Sequence, residues 1–284
     1  MKVRILRRRG LGNGSTLGIK QHSKHDIEII RNDKEIPNDT DLLIRWGCTS
    51  QFPSKKTLNK VDSIKLVNNK MLSRKMMQQA DVSVPKLYEE IEDIKYPCIV
   101  RPEFHSQGKL LFLCNNQDEF EEAIFELHGL GKNYYVSEYI EKDEEYGVFI
   151  FDNRVWAMIK KEPKFEDANK EIAWNVAQGS HKFVNVKWSE WNISVIKESL
   201  DAWKCFGLSF GRVDVIVKDG KPYILEINSA HSLTSEYRKE SFAKCLDYYI
   251  DNGPVKNDIN LDEVKSYKAV IHPALRVNQL GKNL

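Results

Sequence analysis

The run G-R-V-D-V-I-V-K-D-G-K-P-Y-I-L-E-I-N-S, residues 211–229, constrains the fold more than any other stretch of the chain. β-Branched residues at alternate positions around Asp219-Gly220 predict a hairpin with strands over Arg212–Val217 and Pro222–Asn228. Side chains alternate across a strand, so Val213, Val215 and Val217 share one face while Arg212, Asp214 and Ile216 share the other. In the return strand Tyr223, Leu225 and Ile227 take one face, and Ile224, Glu226 and Asn228 the other. Packing apolar face on apolar face sets Asp214 beside Glu226 and Asn228. A plain two-residue Asp-Gly turn would instead pair Asp214 with Leu225, so the pattern predicts an odd-numbered connection such as Asp219-Gly220-Lys221. Two carboxylates and an amide oxygen brought together suit Mg²⁺, a hard cation that keeps some positions for phosphate and water. A solvated polar face is the other reading that the hairpin alone allows.

Elsewhere strands alternate with helical patterns and no repeat appears, which predicts an α/β or α+β fold of two or three layers. Short strands are expected at Val3–Leu6, Ile27–Ile30 and Leu42–Trp46, separated by Gly-, Asn- and Asp-rich loops. Asn68 or Asn69 is placed to cap a helix from Lys70 to about Ala80, and Pro85 lies beyond its end. Strands at Tyr96–Arg101, Leu110–Cys114 and Tyr134–Ile140 surround a helix over Gln117–His128, whose Phe120, Ile124 and Leu127 fall on one stripe. Tyr146–Phe151 and Arg154–Ile159 are joined by Asp152-Asn153, a pair suited to a type I′ turn. Lys160–Lys187 reads as a long polar segment, Ser189–Phe206 as a helix closed by Gly207, Glu236–Ile250 as a last helix, and residues 251–284 as a tail with little core of its own.

Composition excludes several classes. With 43 Lys and Arg against 41 Asp and Glu, and 41% hydrophobic residues, the chain is neither a disordered protein nor a dedicated polyanion binder. No apolar run approaches the ~18 residues of a membrane helix, and Met1–Arg9 is too basic for a signal peptide, so a soluble, cytoplasmic protein is expected. The five cysteines show no C-x-x-C spacing, and the histidines show no zinc-ligand spacing. R-R-R-G-L-G-N-G-S at Arg7–Ser15 offers a Gly-rich backbone to an anion, but without G-K-[ST] it does not read as a P-loop.

In order along the chain stand N-N-K before a helix ending in A-D-V-S-V-P, then Y-P-C-I-V-R-P, F-H-S-Q-G-K, V-S-E-Y-I, E-Y-G-V, R-V-D and L-E-I-N-S. This series resembles the ATP-grasp superfamily of carboxylate–amine ligase type, which includes D-alanine:D-alanine ligase and the ribosomal-protein glutamate ligases. The resemblance implies two α+β subdomains gripping ATP behind a short N-terminal α/β domain. The expected divisions are an N-terminal domain over 1–67, a lid over 68–140, a catalytic subdomain over 141–250 and a tail over 251–284.

The same resemblance implies roles for individual residues. Lys70 and Arg101 would neutralise phosphate, Ser106, Gly108 and Lys109 would lie in the loop over the triphosphate, and Ser137, Glu138, Tyr139 and Ile140 would form the adenine-binding hinge. Glu145 would take the ribose hydroxyls, although its acidic neighbours also fit a solvated run. Asp214, Glu226 and Asn228 would hold Mg²⁺, for which Mn²⁺ is a substitute. Arg212 would stabilise the transferring phosphoryl group, with Lys161 or Lys160 near the γ-phosphate. Trp174, Asn175, Gly179 and Ser229 are candidates for shaping the substrate pocket, and Arg45 for gripping a substrate carboxylate, an ordinary strand-end charge being its alternative. His231 and Ser232 stand where many relatives have Pro-Gly.

The activity so implied joins a small-molecule or peptide carboxylate to an amine through an acyl phosphate, releasing ADP and phosphate. A protein or nucleic-acid adduct remains open as acceptor, and a monomer or homodimer as the assembly. An ATP-grasp kinase and a nucleotide-responsive binding protein are the alternatives, and product analysis separates all three.

Overall fold

The computed structural model describes residues 1–8, 12–31, 37–50, 56–104, 110–170, 172, 174, 179–256 and 258–276. Its first sheet is made of β1 (Val3–Arg7), β2 (Ile27–Arg31), β3 (Leu42–Trp46) and β4 (Thr57–Leu58), ordered β2-β1-β3-β4 and parallel throughout. The loops expected between these strands are in part helical: α1 (Gly14–His22) links β1 to β2, and α2 (Val61–Asn68) follows β4. Sequence periodicity missed α1 because only Thr16, Gly18 and Ile19 on it are buried. Gly18 lets the Lys239 stem lie across the helix, since a Cβ there would come 2.3 Å from Lys239 Cδ. The helix α3 (Lys70–Gln79) begins as expected, with the Asn69 side chain accepting from Leu72 N–H.

The lid sheet contains β5 (Leu87–Tyr88), β6 (Cys98–Pro102), β7 (Phe112–Cys114) and β8 (Tyr134–Glu138) in the order β5-β8-β6-β7, packed on α4 (Gln117–Gly129). The catalytic half is a five-stranded antiparallel sheet of β9 (Glu144–Phe151), β10 (Arg154–Pro163), β11 (His181–Asn185), β12 (Phe210–Lys218) and β13 (Lys221–Asn228). Asp152 and Asn153 both take positive φ, 50° and 57°, as a type I′ turn requires. The long polar segment is not a loop throughout: Lys160–Pro163 complete β10, and β11 pairs with them. The helix α5 (Ile193–Lys204) starts later than expected, where Asn192 caps it through Ser194 and Val195 N–H. It leads into β12; α6 (Glu236–Asn252) then follows β13.

The odd-numbered hairpin connection is overturned. Lys218 pairs with Lys221 across a two-residue turn, with Asp219 and Gly220 at φ 50° and 75°. This local preference holds at the tip, where nothing else competes with it. Further along, the register shifts: Val215 pairs with Ile224 but Asp214 pairs with Glu226, leaving Leu225 as the extra residue of a β-bulge. The bulge restores the facing of Asp214 and Glu226 that the turn would have broken. Polar groups on the outer edge of β13 are covered: Ile224 N–H donates to Ser83 O at 2.8 Å, and Arg74 Nη2 donates to Leu225 O at 3.2 Å.

One continuous core joins the N-terminal and catalytic sheets, running from Val3, Ile5 and Trp46 through Phe149, Phe151 and Trp156 to Phe210 and Phe242. The lid has a separate small core of Cys98, Val100, Cys114, Phe120, Ala123, Leu127 and Val136. Met77 and Val82 belong to the large core, so α3 packs with the catalytic half, although the expected division placed it in the lid. The tail is likewise docked, with Leu261, Val264, Val270, Ile271 and Leu275 in the large core and His272 N–H donating to Val155 O.

Buried Asn59 (φ 61°) fastens this core to β12: its Oδ1 accepts from Ser209 N–H (2.8 Å) and Phe210 N–H (3.1 Å), and its Nδ2 donates to Phe210 O (2.9 Å). Asn59→Ala should cost about 3 kcal/mol, since it orphans several buried backbone groups at once; denaturant titration measures it, and a loss under about 1 kcal/mol contradicts the clamp. Burial, with Arg154 and Arg276 adding to it, lowers the His272 pKa to about 3. The unfolded chain takes up that proton near pH 6.5 while the folded chain does not, so stability falls as pH drops below about 6.5. By pH 5 the loss from this group is about 2 kcal/mol, and His272→Gln should remove that part of the pH dependence in urea titrations at pH 7 and 5.

Candidate active site

The bulged hairpin brings together Arg212 and the three expected metal ligands, Asp214, Glu226 and Asn228. Arg212 Nη2 donates to Asp214 Oδ2 at 2.8 Å, with Nε 2.7 Å from Oδ1. Asn228 Nδ2 donates to both carboxylates, to Asp214 Oδ2 at 2.9 Å and Glu226 Oε1 at 3.0 Å. Burial raises the Asp214 pKa, Arg212 opposes that rise and Glu226 adds to it. Gly147 faces Asp214 from β9, and a Cβ on it would lie 3.0 Å from Arg212 Cδ; the glycine of E-Y-G-V makes room for the arginine.

From α3 and β6 come the two expected phosphate cations. Lys70 Nζ lies 3.5 Å from Glu226 Oε2 and 3.4 Å from Ile227 O, and Arg101 Nη2 lies 4.0 Å from the same carboxylate oxygen. Arg74, one helical turn after Lys70, belongs with them and was missed, although the i, i+4 spacing is a readable signal. Its guanidinium and that of Arg101 lie 5.6 Å and 5.3 Å from the Tyr135 ring centroid. Burial lowers the Arg74 pKa to about 10.

Glu145 is buried, so the solvated-run alternative does not hold for it. Lys142 Nζ donates to its Oε2 at 2.7 Å and Lys161 ion-pairs with its Oε1. Burial alone would raise the Glu145 pKa, but the two lysines outweigh it and hold it low. Lys160 and Lys161 point to opposite faces of β10. Lys160 ion-pairs with Glu144, whereas Lys161 also donates to Trp174 O at 2.7 Å and lies in the electrostatic reach of Asp214. Trp174 stacks on His181 with ring centroids 4.8 Å apart, and Lys142 sits over its ring.

Ser137 and Glu138 end β8, and Tyr139 and Ile140 lead from the lid towards β9. Glu138 N–H donates to Lys86 O at 2.8 Å. Gly179 adopts φ 92°, and Ser229 is buried where the chain leaves β13. Ser106, Gly108, Lys109 and Asn175 lie outside the described residues. Arg45 is buried and stands apart from the hairpin cluster. Alternation along β3 puts it on the face of Leu43, opposite to Trp46, and its Nη1 donates to Ser50 O. Leu43 packs in a small cluster with Leu6, Ile30 and Cys48, whereas Trp46 belongs to the large core.

Residues 67–231 match the ATP-grasp domain. The chain belongs to the ATP-grasp family. It is 26% identical over 187 residues to a D-alanine–D-alanine ligase of Fusobacterium nucleatum, covering 63% of this chain and 62% of that protein. With a probable alpha-L-glutamate ligase of Shewanella halifaxensis it shares 28% identity over 218 residues, 71% of this chain and 46% of the relative. The chain therefore spans less than two thirds of either relative. Among solved structures, D-alanine–D-alanine ligase from Bacillus anthracis superposes with a TM-score of 0.63 at 20% identity, covering 88% of this chain and 95% of that one. A RimK domain ATP-grasp protein from Sphaerobacter thermophilus gives 0.61 at 12% identity, covering 85% and 98%. These likenesses are of fold.

Arg74→Met keeps the buried stem but removes the donor that holds the bulge carbonyl. Amide exchange over residues 223–228 should then quicken about tenfold, corresponding to about 1.4 kcal/mol, with exchange in α4 unchanged. Unchanged exchange in β13 would show that the bulge holds without Arg74.

Proposed function

We propose that this ATP-grasp chain is an ATP-dependent carboxylate–amine ligase. The observation that carries the reading is the convergence on one bulged hairpin of Arg212, Asp214, Glu226 and Asn228, with Lys70 and Arg101 brought to the same carboxylate from two other elements. A carboxylate oxygen of the first substrate would take the γ-phosphoryl group of ATP, giving an acyl phosphate and ADP. The amine would then attack the acyl carbon, forming the C–N bond as phosphate leaves and the amine loses a proton. The chain's own contribution is positioning and charge. Lys70 and Arg101 are suited to the phosphates, Lys161 to the transferred group, and Arg212 to the charge that grows as the acyl phosphate forms.

Asp214, Glu226 and Asn228 fit Mg²⁺ by the chemistry of their donors, two carboxylates and an amide brought together on one hairpin, whose oxygens are the hard ligands this cation takes. Bound there, Mg²⁺ would neutralise phosphate charge and orient the triphosphate. Glu145 sits at the position expected to meet the ribose, but its two lysine partners make it equally a support for Lys161. No helix among the described residues is long and apolar enough to cross a membrane.

The test is product analysis by mass spectrometry after incubating the protein with ATP, Mg²⁺ and pairs of carboxylates and amines. An amide with ADP supports the reading, a phosphorylated product with ADP points to a kinase, and absence of ADP points to a binding protein. Asp214→Asn with Glu226→Gln should abolish ADP release while leaving the circular dichroism spectrum intact, and Arg212→Ala should lower kcat about 10²-fold. Full ADP release by the double variant would remove the metal assignment.

A further inference from the structure

Glu145 and Gly147 of β9 share one face of the catalytic sheet with Asp214 of β12, and alternation along β10 brings Lys161 to the same face. Glu145 is 4% exposed, and each of its oxygens already holds an ammonium: Lys142 Nζ lies 2.7 Å from Oε2, and Lys161 pairs with Oε1. A ribose hydroxyl would reach this carboxylate by displacing one of two charge-assisted bonds with a neutral one, which is about half as strong. In a buried site that exchange is unfavourable, because the displaced ammonium loses its counter-charge.

Lys142 stands just before β9, between V-S-E-Y-I and E-Y-G-V, where no motif marks it. Its Nζ also donates to Ile172 O at 3.2 Å and lies 4.8 Å from the centroid of the Trp174 ring. Lys161 donates to the carbonyl of the same tryptophan at 2.7 Å. The two lysines therefore hold Ile172 and Trp174 from two points, and Glu145 holds the two lysines. An ammonium has three donors. Lys161 uses one on Trp174 O and one on Glu145, which leaves a third, and its charge reaches Asp214.

We propose that Lys142 and Glu145 are positioning residues for Lys161, holding it with its remaining donor available to the terminal phosphate of a nucleoside triphosphate, and that Glu145 takes no ribose hydroxyl. The inference rests on the role given to Lys161 in the ligase reading. Nucleotide recognition is then divided: the ribose hydroxyls contribute little, and the third phosphate is felt through Glu145 although that carboxylate does not touch it. A ribose-binding carboxylate behaves in the opposite way, since its loss weakens diphosphate and triphosphate binding alike.

Calorimetric titration in Mg²⁺ buffer with ADP, 2′,3′-dideoxyADP and the non-hydrolysable triphosphate adenylyl imidodiphosphate reads both effects without turnover. ADP and its dideoxy form should bind within about threefold of each other, the small difference expected where no charged group takes the hydroxyls. Lys161→Met should remove the preference for triphosphate over diphosphate. Glu145→Gln, and Lys142→Met, which keeps the stem over Trp174, should each lower that preference by about fivefold or more while leaving ADP affinity within about twofold. Lys142→Arg should retain most of it. A larger penalty for the dideoxy form, or an equal loss of ADP and triphosphate affinity in Glu145→Gln, would return Glu145 to ribose recognition and overturn the proposal. An unchanged triphosphate preference in Lys142→Met or in Lys161→Met overturns it too, as does failure of the unaltered protein to bind any of the three nucleotides. If Glu145→Gln does not fold, Lys142→Met and the dideoxy comparison decide. The ligase reading is decided apart from this, by its products. An amide formed with ADP by a protein that fails these titrations leaves that reading standing, and a phosphorylated product from one that passes them overturns it and leaves Lys142 and Glu145 in their role.

Discussion

Two carboxylates set face to face, Asp214 and Glu226, repel each other, and much of the catalytic half is arranged to offset that repulsion. Arg212 grips one, Lys70 and Arg101 approach the other, and the Asn228 amide donates to both. These groups come from β12, β13, α3 and β6, so the electrostatic requirement of one hairpin ties together elements distant in sequence. Partial burial strengthens every term in this balance, the attractive and the repulsive alike.

The distribution of cores explains how the tie remains adjustable. The N-terminal and catalytic sheets share one packed interior, whereas the lid has its own small cluster behind β6, β8 and α4. Since α3 belongs to the large core, Lys70 and Arg74 are fixed relative to the hairpin, and Arg101 is carried by the lid. The two cations read as phosphate-binding therefore sit on bodies with separate cores, and a nucleotide held between them would link those bodies.

What the sequence made legible was local. Asn69 before Lys70 and Asp152-Asn153 between two apolar strands each act within a few residues, and both occur as read. The convergence of Asp214, Glu226 and Asn228 was also legible, because alternation of apolar side chains demands it. The route to it was not: the turn follows its Asp-Gly preference, and the correction comes from a bulge whose Leu225 carbonyl is held by Arg74, 151 residues away in sequence. α1 escaped notice because its buried side consists largely of small residues, one of them against Lys239, and the side of β3 that Arg45 takes was not legible because a strand-end charge does not disclose its face.

The bulge also has a meaning for descent. A three-residue connection with a regular ladder, and a two-residue turn followed by one extra residue, require the same number of residues between Asp214 and Glu226. A deletion at Leu225 can therefore be balanced by an insertion at Asp219-Gly220 without changing the chain length or the facing of the two acids. Relatives can exchange one solution for the other through paired insertion and deletion, and their alignments would then carry two small gaps of opposite sign flanking a hairpin whose chemistry never changed.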